Sequence, residues 1–366
     1  MIVRIVCYEN VDGWILGKIA RRLTESLRDI GVHADVAATP DPSADVNHHV
    51  VYLDYDGRSN GIDTLMITHV DDSAKLRLLR RQLKTAKMGI TMSAGTLALL
   101  ADCGIPSCRL AFVNPAHDGT IKAQPLVLGI SSKTHADGRK KENLLLEVAR
   151  QLDPRDFQFK IMGSGWSGIV DEMRTLGITV EYHPEFVPSV YENFMLSLDY
   201  FIYFSTDEGS MAFLDAVAAG TKTIATAQGY HLDAQGGITH AIEDNSASLL
   251  RTLRQIATER RRRISSVETW TWENYAKQHA NIWQTLIGAP GEADPYPVPE
   301  RGDGSASIGR AIPFGIGRLR GLRGLRRPIY RRALIEETRS VLWHAVSPML
   351  PDRLKFAVHR RFYPDK

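Results

Sequence analysis

The sequence predicts an α/β protein with two doubly wound domains and a basic C-terminal helical tail. Short apolar runs alternate with segments of helical apolar spacing from the first residue onward. The alternation restarts after the polar, proline-bounded stretch 114–125, and residues 289–311 are rich in Pro, Gly, Ser and acidic residues, as in a linker. These observations predict the following parts: a domain over 1–118, a domain over 119–288, a linker over 289–311 and a tail over 312–366. One long doubly wound domain is the alternative to the first two.

The first series opens with MIVRIVCY (1–8), a continuous apolar run typical of a buried strand. Residues 13–31 have apolar side chains at helical spacing and end at Gly31, which predicts a helix. The remaining strands of this series are predicted at 32–37, 48–55, 63–70, 87–93 and 108–114, and its other helices at 73–84 and 94–105.

The second series repeats the same alternation. Its strands are predicted at 125–131, 157–163, 178–183, 199–205 and 221–227. Its helices are predicted at 139–152, 167–177, 187–198, 210–220, 247–263 and 270–288. Each series therefore reads as a Rossmann-like half. Because ligands bind beyond the carboxyl ends of parallel strands, two such halves would face a ligand-binding cleft.

The composition excludes several classes of protein. The 366 residues are 43% hydrophobic and 24% charged, which is typical of a globular protein rather than a collagen-like or disordered one. The three cysteines lack metal-ligand spacing, and the N-terminus does not resemble a secretory signal, so we expect a cytoplasmic protein. Residues 301–366 carry 15 Lys and Arg against 5 Asp and Glu, whereas residues 1–300 carry 30 against 37. This asymmetry predicts an anionic partner for the tail.

Two segments of the second half have features of a phosphate site. In FKIMGSGW (159–166), Gly163 and Gly165 follow a strand, where glycine allows a ligand to approach the backbone closely. An ordinary strand-to-helix turn is the alternative. The loop 131–143 carries Lys133, Arg139 and Lys140, cations that could grip a diphosphate, although a solvated basic loop has the same composition.

The segment FSTDEGSMAFLDAVAAG (204–220) is the most informative. A strand ends before Asp207, Glu208, Gly209 and Ser210, and a helix follows whose free N–H groups and dipole favour an anion. Asp215 lies eight residues after Asp207, about two helical turns. Carboxylates beside an anion site suit sugar hydroxyls. Asp207 as a simple helix cap is the alternative, which leaves Asp215 unexplained.

With these residues in view, the chain resembles retaining glycosyltransferases of the GT-B fold, of the family-4 type (glycosyl transferases group 1). That family's hallmark is serine, two residues, Glu-Gly-Phe-Gly, then Leu-Glu-Ala and a small-residue helix. Segment 205–220 is similar to it. Further landmarks follow the family's order over about 1–288: THVDD (68–72), CGIPSCRLAFVNPAHD (103–118), GISSKTHADGRKKE (129–142), KIMGSGW (160–166), DYFIYFS (199–205) and WTWENYAKQHANIW (270–283).

The resemblance implies roles for residues on the donor side. The family's first acid, which contacts the donor sugar, corresponds to Asp207 in an ungapped match and to Glu208 with a one-residue gap. Its second acid, which binds the ribose, corresponds to Asp215. Its Arg and Lys, which hold the diphosphate, correspond to Lys133 and Lys140, and Lys141 replaces a usual glycine. The donor-binding set implied by the motifs and the resemblance together is Lys133, Arg139, Lys140, Gly163, Gly165, Gly209, Ser210, Met211 and Asp215.

The resemblance also implies an acceptor side in the first half. His69 corresponds to a cleft histidine near the acceptor and joins Asp207 and Glu208 as a catalytic candidate. Gly13, Trp14 and Asp71 lie in the loops that relatives use near the acceptor, although the family's Gly-Gly pair is absent. A structural role for a single histidine is the alternative.

The implied reaction is sugar transfer from a nucleotide diphosphate sugar to a glycan or lipid-linked glycan acceptor with retention, as in bacterial surface polysaccharide assembly. No metal-ligand cluster is visible in the sequence, and no cofactor is expected besides the donor substrate. A sugar-nucleotide epimerase of the same fold and a non-catalytic scaffold subunit remain alternatives.

The tail combines arginines with Trp, Phe and Leu residues, a composition that suits an anionic membrane surface. Nucleic acid would suit the same composition, but the acidic body offers no basic cleft, so no nucleic-acid partner is expected. The sequence therefore predicts peripheral attachment to the inner face of a membrane through 312–366. A solvated or partner-bound tail is the alternative.

Overall fold

The computed structural model describes residues 1–57, 59, 61–135, 137–205 and 207–288. The described chain forms two compact units. One contains Met1–Gly119 and the described residues from Thr269 onward, and the other contains Thr120–Glu268. The predicted linker 289–311 and tail 312–366 lie outside the described residues.

The first unit is a six-stranded parallel sheet with helices. Its elements are β1 (Ile2–Val6), α1 (Ile15–Asp29), β2 (His33–Ala37), β3 (Val46–His49), β4 (Ile62–Ile67), α2 (Ser73–Gln82), β5 (Met88–Thr91), α3 (Ala94–Asp102) and β6 (Leu110–Phe112). The strand order is β2-β1-β3-β4-β5-β6. Every helix and strand predicted for this half is present except the strand predicted over 48–55, where β3 ends at His49 and a 3-10 turn covers Tyr52–Asp54.

The second unit has its own six-stranded parallel sheet. Its elements are β7 (Leu126–Ser131), α4 (Glu142–Ala149), β8 (Phe157–Met162), α5 (Ser167–Thr175), β9 (Val180–His183), α6 (Pro188–Leu196), β10 (Tyr200–Tyr203), α7 (Met211–Ala218), β11 (Lys222–Thr226), β12 (His240–Ile242) and α8 (Ser246–Ser265). The strand order is β12-β11-β10-β7-β8-β9. Two six-stranded parallel α/β units in one chain confirm the predicted Rossmann-like fold class. The short edge strand β12 was not predicted from the sequence.

The last described helix, α9 (Trp272–Gly288), belongs to the first unit, whereas the sequence analysis placed 270–288 in the second domain. Trp283 is buried in the core of the first unit, and its indole N–H donates to Thr64 Oγ1 at 3.1 Å. Trp272 donates to Asp118 at 2.8 Å. The second unit therefore ends at Glu268, because the apolar face of α9 is buried against the first sheet.

Among the described residues, every helix is too short or too polar to cross a membrane.

Candidate functional site

The second sheet has a point where its strand order reverses. The chain runs outward from β7 to β8 and β9 and then returns to place β10 on the other side of β7. In open α/β sheets, ligands bind beyond the carboxyl ends of the strands at such a point. The loops after β7 and β10 therefore frame the candidate site, and a small open pocket there is lined by Ser132, Lys140, Trp166, Tyr203 and Ser205, among others.

The loop after β7 is fixed against the Gly-Ser-Gly turn that follows β8. Thr134 N–H donates to the Ser164 carbonyl at 3.0 Å. Gly163 and Gly165 have φ values of +134° and +93°, and a Cβ on Gly163 would lie 2.2 Å from the Ser132 carbonyl oxygen. Because a side chain would push the two loops apart, these glycines serve the packing of the loops. The structure shows this role, and contact of either glycine with a donor stays a prediction.

The cations of this loop differ in their surroundings. Lys133 is exposed, and its ammonium makes no hydrogen bond or ion pair with the described residues. Arg139 is also exposed and lies 3.5 Å from Asp137. The Ser205 hydroxyl donates to the Arg139 carbonyl at 2.9 Å, which ties this loop to the end of β10. Lys133 is therefore available to an anion.

Lys140 is the cation of this loop that is bonded to other residues of the site. Its side chain is 13% exposed, and its Nζ lies 2.5 Å from the Asp207 carboxylate and 2.9 Å from the Tyr203 hydroxyl. The Tyr203 hydroxyl in turn donates to the other carboxylate oxygen of Asp207. Residues from the loop after β7, the end of β10 and the loop after β10 thus form one hydrogen-bonded cluster.

The cluster stabilises its own charges. Burial alone would lower the pKa of Lys140, but the hydrogen bonds with Asp207 and Tyr203 raise that pKa above its ordinary value. For Asp207, burial acts to raise the pKa, but hydrogen bonds from Lys140 and Tyr203 outweigh it and hold the pKa at about 2. Burial and the Asp207 acceptor raise the pKa of Tyr203. At neutral pH the cluster is therefore an ammonium, a carboxylate and a neutral phenol.

Asp207 and Glu208 have different surroundings. The Asp207 carboxylate is partly buried and bound to Lys140, whereas Glu208 is exposed and its carboxylate makes no hydrogen bond or ion pair with the described residues. Ser210 is the N-cap residue of α7, and its side chain makes no capping hydrogen bond. Asp207 therefore lies before the cap position, and it bonds Lys140 rather than the first turn of α7.

The start of α7 leaves backbone donors beside the turn 207–210. Ser210 has an extended backbone, and Met211, which is exposed, is the first residue of α7. The first N–H groups of a helix have no intrahelical acceptor, and the helix dipole adds positive potential there. This helix start and Lys140 both border the Asp207 turn, so together they present the features of an anion site.

Asp215 lies one turn further along α7. Its Oδ2 accepts a hydrogen bond from the Tyr191 hydroxyl on α6 at 2.7 Å. Burial, and next the bond to Asp215, raise the pKa of Tyr191 above its ordinary value. The Asp215 carboxylate is exposed, so its remaining lone pairs face solvent and can accept hydrogen bonds from hydroxyl groups.

The acceptor-side candidates lie in the first unit. His69, just past the end of β4, is exposed, and its Nδ1 lies 3.0 Å from Thr68 Oγ1. Asp71 accepts from Lys75 Nζ at 2.5 Å. Gly13 and Trp14 immediately precede α1, and Trp14 is 82% exposed. Catalytic or acceptor roles for these residues stay predictions.

The sequence analysis missed three residues around the second-unit site: Tyr203, Tyr191 and His231. Each is aromatic or lies next to an aromatic residue, and such residues normally indicate core packing. Tyr203 is the last residue of β10, and His231 follows β11, the neighbour of β10 in the sheet. The rule that carboxyl ends of parallel strands share one edge could have placed both near the site.

Within the described parts of the chain, no three or more His, Cys, Asp or Glu side chains are grouped to hold a metal ion.

Two Rossmann-like units in one chain are the architecture of the GT-B fold class. No protein-family model matches the chain, and no curated protein matches it. Among solved structures, Anabaena HepE in complex with UDP and glucose is similar at 12% identity, covering 78% of this chain and 100% of HepE with a TM-score of 0.33. WaaG, a glycosyltransferase involved in lipopolysaccharide biosynthesis, has 16% identity, coverages of 76% and 95% and a TM-score of 0.33. A glycosyltransferase from Rickettsia africae has 13% identity, coverages of 79% and 99% and a TM-score of 0.33.

Proposed function

We propose that this protein is a glycosyltransferase that takes a sugar from a nucleoside diphosphate sugar. One observation carries the proposal. Lys140 Nζ lies 2.5 Å from the Asp207 carboxylate, beside the start of α7 and at the switch point of the second sheet. The cation and the helix N-terminus can bind the negatively charged diphosphate, and the nearby carboxylate can accept hydrogen bonds from the sugar hydroxyls.

The donor would occupy this site through its diphosphate. Lys140 and the exposed Lys133 would bind the phosphate oxygens, and the N–H groups at the start of α7 would share the charge. Asp207 would face the sugar, and Asp215 would accept from the ribose hydroxyls. When the donor enters, the Lys140 ammonium exchanges part of its bonding with Asp207 for the diphosphate, which leaves the carboxylate free for the sugar.

Transfer would break the bond between the anomeric carbon and the diphosphate oxygen. The acceptor oxygen would form the new bond on the same face of that carbon, with retention, and the acceptor proton would leave with the nucleoside diphosphate. Lys133, Lys140 and the α7 dipole would stabilise the charge that develops on the leaving phosphate. The proposed acceptor is a glycan or lipid-linked glycan of bacterial surface polysaccharide assembly, reached from the inner face of the membrane.

The first test is a thermal-shift screen over a panel of nucleoside diphosphate sugars that begins with UDP-glucose. A ligand that binds only the folded state stabilises it by about 2.7 kcal/mol at a concentration a hundredfold above Kd. This stabilisation raises the melting temperature. We expect one donor class to raise the melting temperature of the wild type, and the Lys133→Ala/Lys140→Ala double variant to lose both this shift and the transfer of sugar.

Lys222→Ala is the matched control, because Lys222 begins β11 at the opposite end of the second sheet. The control should keep the shift. Undiminished transfer by the double variant would contradict the assignment. Donor binding without turnover would favour the non-catalytic subunit, and conversion of the donor sugar without any acceptor would favour an epimerase.

A further inference from the structure

His231 lies behind the turn 207–210 and is 1% exposed. Its Nε2 accepts a hydrogen bond from the Ser210 backbone N–H at 2.9 Å, and its Nδ1 faces the Thr226 carbonyl at 3.5 Å. A backbone N–H can only donate, so Nε2 must carry a lone pair, and the imidazole proton belongs on Nδ1. The two partners therefore select the neutral imidazole and one of its tautomers.

Aromatic rings hold the imidazole in place. Phe213 of α7 stacks on it with ring centroids 4.0 Å apart, and Tyr203 and Tyr230 meet it edge-on at 5.2 Å and 5.4 Å. Because the ring is enclosed on these sides, it cannot turn away if its hydrogen bond to Ser210 is lost.

The residues next to His231 shape the same turn. The Tyr230 N–H donates to the Glu208 carbonyl at 3.1 Å. Gly209 has a φ of +131°, and a Cβ there would lie 2.7 Å from the Tyr230 ring. A Cβ on Gly229 would lie 2.0 Å from the Glu208 carbonyl oxygen. Segment 229–231 is therefore a close-fitting wall behind the residues that carry Asp207 and the start of α7.

From this geometry we propose that His231 is a positioning residue whose neutral imidazole holds the turn 207–210 in its anion-binding shape, so that donor binding weakens when His231 is protonated. The inference rests on the proposed function of this site. Ser210 N–H donates to His231, which fixes the orientation of the N-cap residue from which α7 begins. A proton on Nε2 removes the lone pair and sets two N–H groups against each other.

The other ionisable groups around the ring keep their charge state where His231 titrates. Burial lowers the pKa of His231 below its ordinary value of 6.5, while the Thr226 carbonyl and Asp207 act in the opposite direction. Asp207, with a pKa of about 2, stays ionised, and Lys140, with a raised pKa, stays charged. Tyr203 and Tyr230 have raised pKa values and stay neutral. A change in donor affinity as the pH falls through the pKa of His231 therefore reports on His231 rather than on these groups.

The test measures the Kd of UDP-glucose, or of whichever panel member binds most tightly, by calorimetry at several pH values between about 5 and 7.5. A nucleotide sugar suits this range because its diphosphate carries no terminal phosphate that titrates there. We expect the wild type to lose affinity as the pH falls, by up to about tenfold per pH unit below the pKa of His231.

His231→Gln should remove the loss of affinity at acid pH and keep binding near neutral pH, because the glutamine carbonyl can accept from Ser210 N–H and does not titrate. His231→Leu should bind poorly at every pH, because it removes the acceptor. His240→Gln is the matched control in the same unit and should keep the wild-type slope, since His240 begins β12 and packs against Tyr200 rather than this turn.

A second measurement needs no variant. By linkage, a donor that binds the neutral form more tightly must lower the His231 titration midpoint, by the logarithm of the factor by which protonation weakens binding. Nitrogen chemical shifts of the labelled imidazole would report this midpoint with and without UDP-glucose. A loss of affinity at acid pH that persists in His231→Gln, or a His231 titration midpoint that the bound donor does not move, overturns this inference alone. A wild type that binds no nucleoside diphosphate sugar overturns the proposed function as well.

Discussion

Asp207 and Glu208 are adjacent acids, and the resemblance allows either to be the family's first acid. The structure separates them by their contacts. Asp207 is bound to Lys140 and Tyr203, whereas Glu208 is exposed and contributes its backbone carbonyl to Tyr230. A carboxylate that must face a sugar beside the diphosphate has to lie near the cation that binds the diphosphate. We therefore propose Asp207 for the role.

Asp207→Asn and Glu208→Gln form a matched pair of variants. Each removes one negative charge with little change in size. We expect Asp207→Asn to lower the transfer rate at saturating donor by about 10²-fold or more, because it removes an interaction made at the reacting sugar. Glu208→Gln should keep most of the activity.

The measurement is the initial rate of nucleoside diphosphate release in the presence of acceptor. If Glu208→Gln is the variant that loses activity, the assignment is reversed, and the one-residue gap is the better match to the family's hallmark. Melting temperatures of both variants would separate a loss of chemistry from a loss of fold.

Lys141 has a backbone conformation that is unusual for a residue with a side chain. Its φ is +51°, in the left-handed region that favours glycine, the residue usual at this position in the resembled family. The Lys141 ammonium forms an ion pair with Asp244. The side chain is therefore engaged by the protein, unlike that of Lys133, so Lys133 is the better candidate for an additional phosphate contact.

At the scale of elements, α9 has an unexpected place. Its apolar spacing predicted a helix, but not the unit that this helix joins. Buried side chains of α9 lie in the same core cluster as those of α1 and β1, and Tyr275 and Trp283 are among them. His279 of α9 also lies against His48 of β3, with ring centroids 5.0 Å apart. Helix α9 therefore belongs to the core of the first unit, although it follows the second unit in the sequence.

Removing the Trp283 side chain from α9 should destabilise the first unit. Trp283 is 0% exposed and donates to Thr64, so Trp283→Ala should cost about 3–5 kcal/mol of unfolding free energy through the cavity and the lost hydrogen bond. Trp14→Ala is the control, because Trp14 is 82% exposed and little apolar area is lost there. Urea unfolding followed by circular dichroism measures both. A shift for Trp283→Ala no larger than that of Trp14→Ala would show that α9 is not needed for the first unit.

Elements with strong apolar periodicity were predictable, and the edges of the sheets were less so. Helix α1 was predicted at 13–31 and forms over Ile15–Asp29, because apolar spacing and Gly31 define it locally. The run 48–55 was predicted as a strand, but β3 ends at His49 and a short 3-10 turn covers Tyr52–Asp54. The strand β12 was missed because His240–Ile242, unlike the three residues of β6, does not lie within a longer apolar run.

At the scale of the whole molecule, the chain is two α/β units with the first assembled from both ends of the described sequence. Truncation within 269–288 would therefore damage the first unit, while truncation beyond residue 300 removes only residues outside both described sheets.

Deleting 301–366 tests the proposed membrane role of the tail. The segment carries 15 Lys and Arg against 5 Asp and Glu, and basic residues near an anionic lipid surface contribute about 1 kcal/mol each. We expect the full chain to sediment with phosphatidylglycerol vesicles and much less with phosphatidylcholine vesicles, and the deleted chain to stay in the supernatant. Added salt should weaken the association. A full chain that never sediments with anionic vesicles would refute the proposal.

The sequence by itself determined the α/β class, the two sheets and the segments that carry Lys140 and Asp207, because periodicity and turn residues act over a few neighbours along the chain. Only the tertiary structure decided that Lys140, Tyr203 and Asp207 form one cluster, that His231 supports the turn beside them, and that α9 closes the first unit. Lys140 and Asp207 are 67 residues apart. Such contacts depend on which strands become neighbours in the sheet, and that order is set by the packing of the whole unit rather than by any local run of residues.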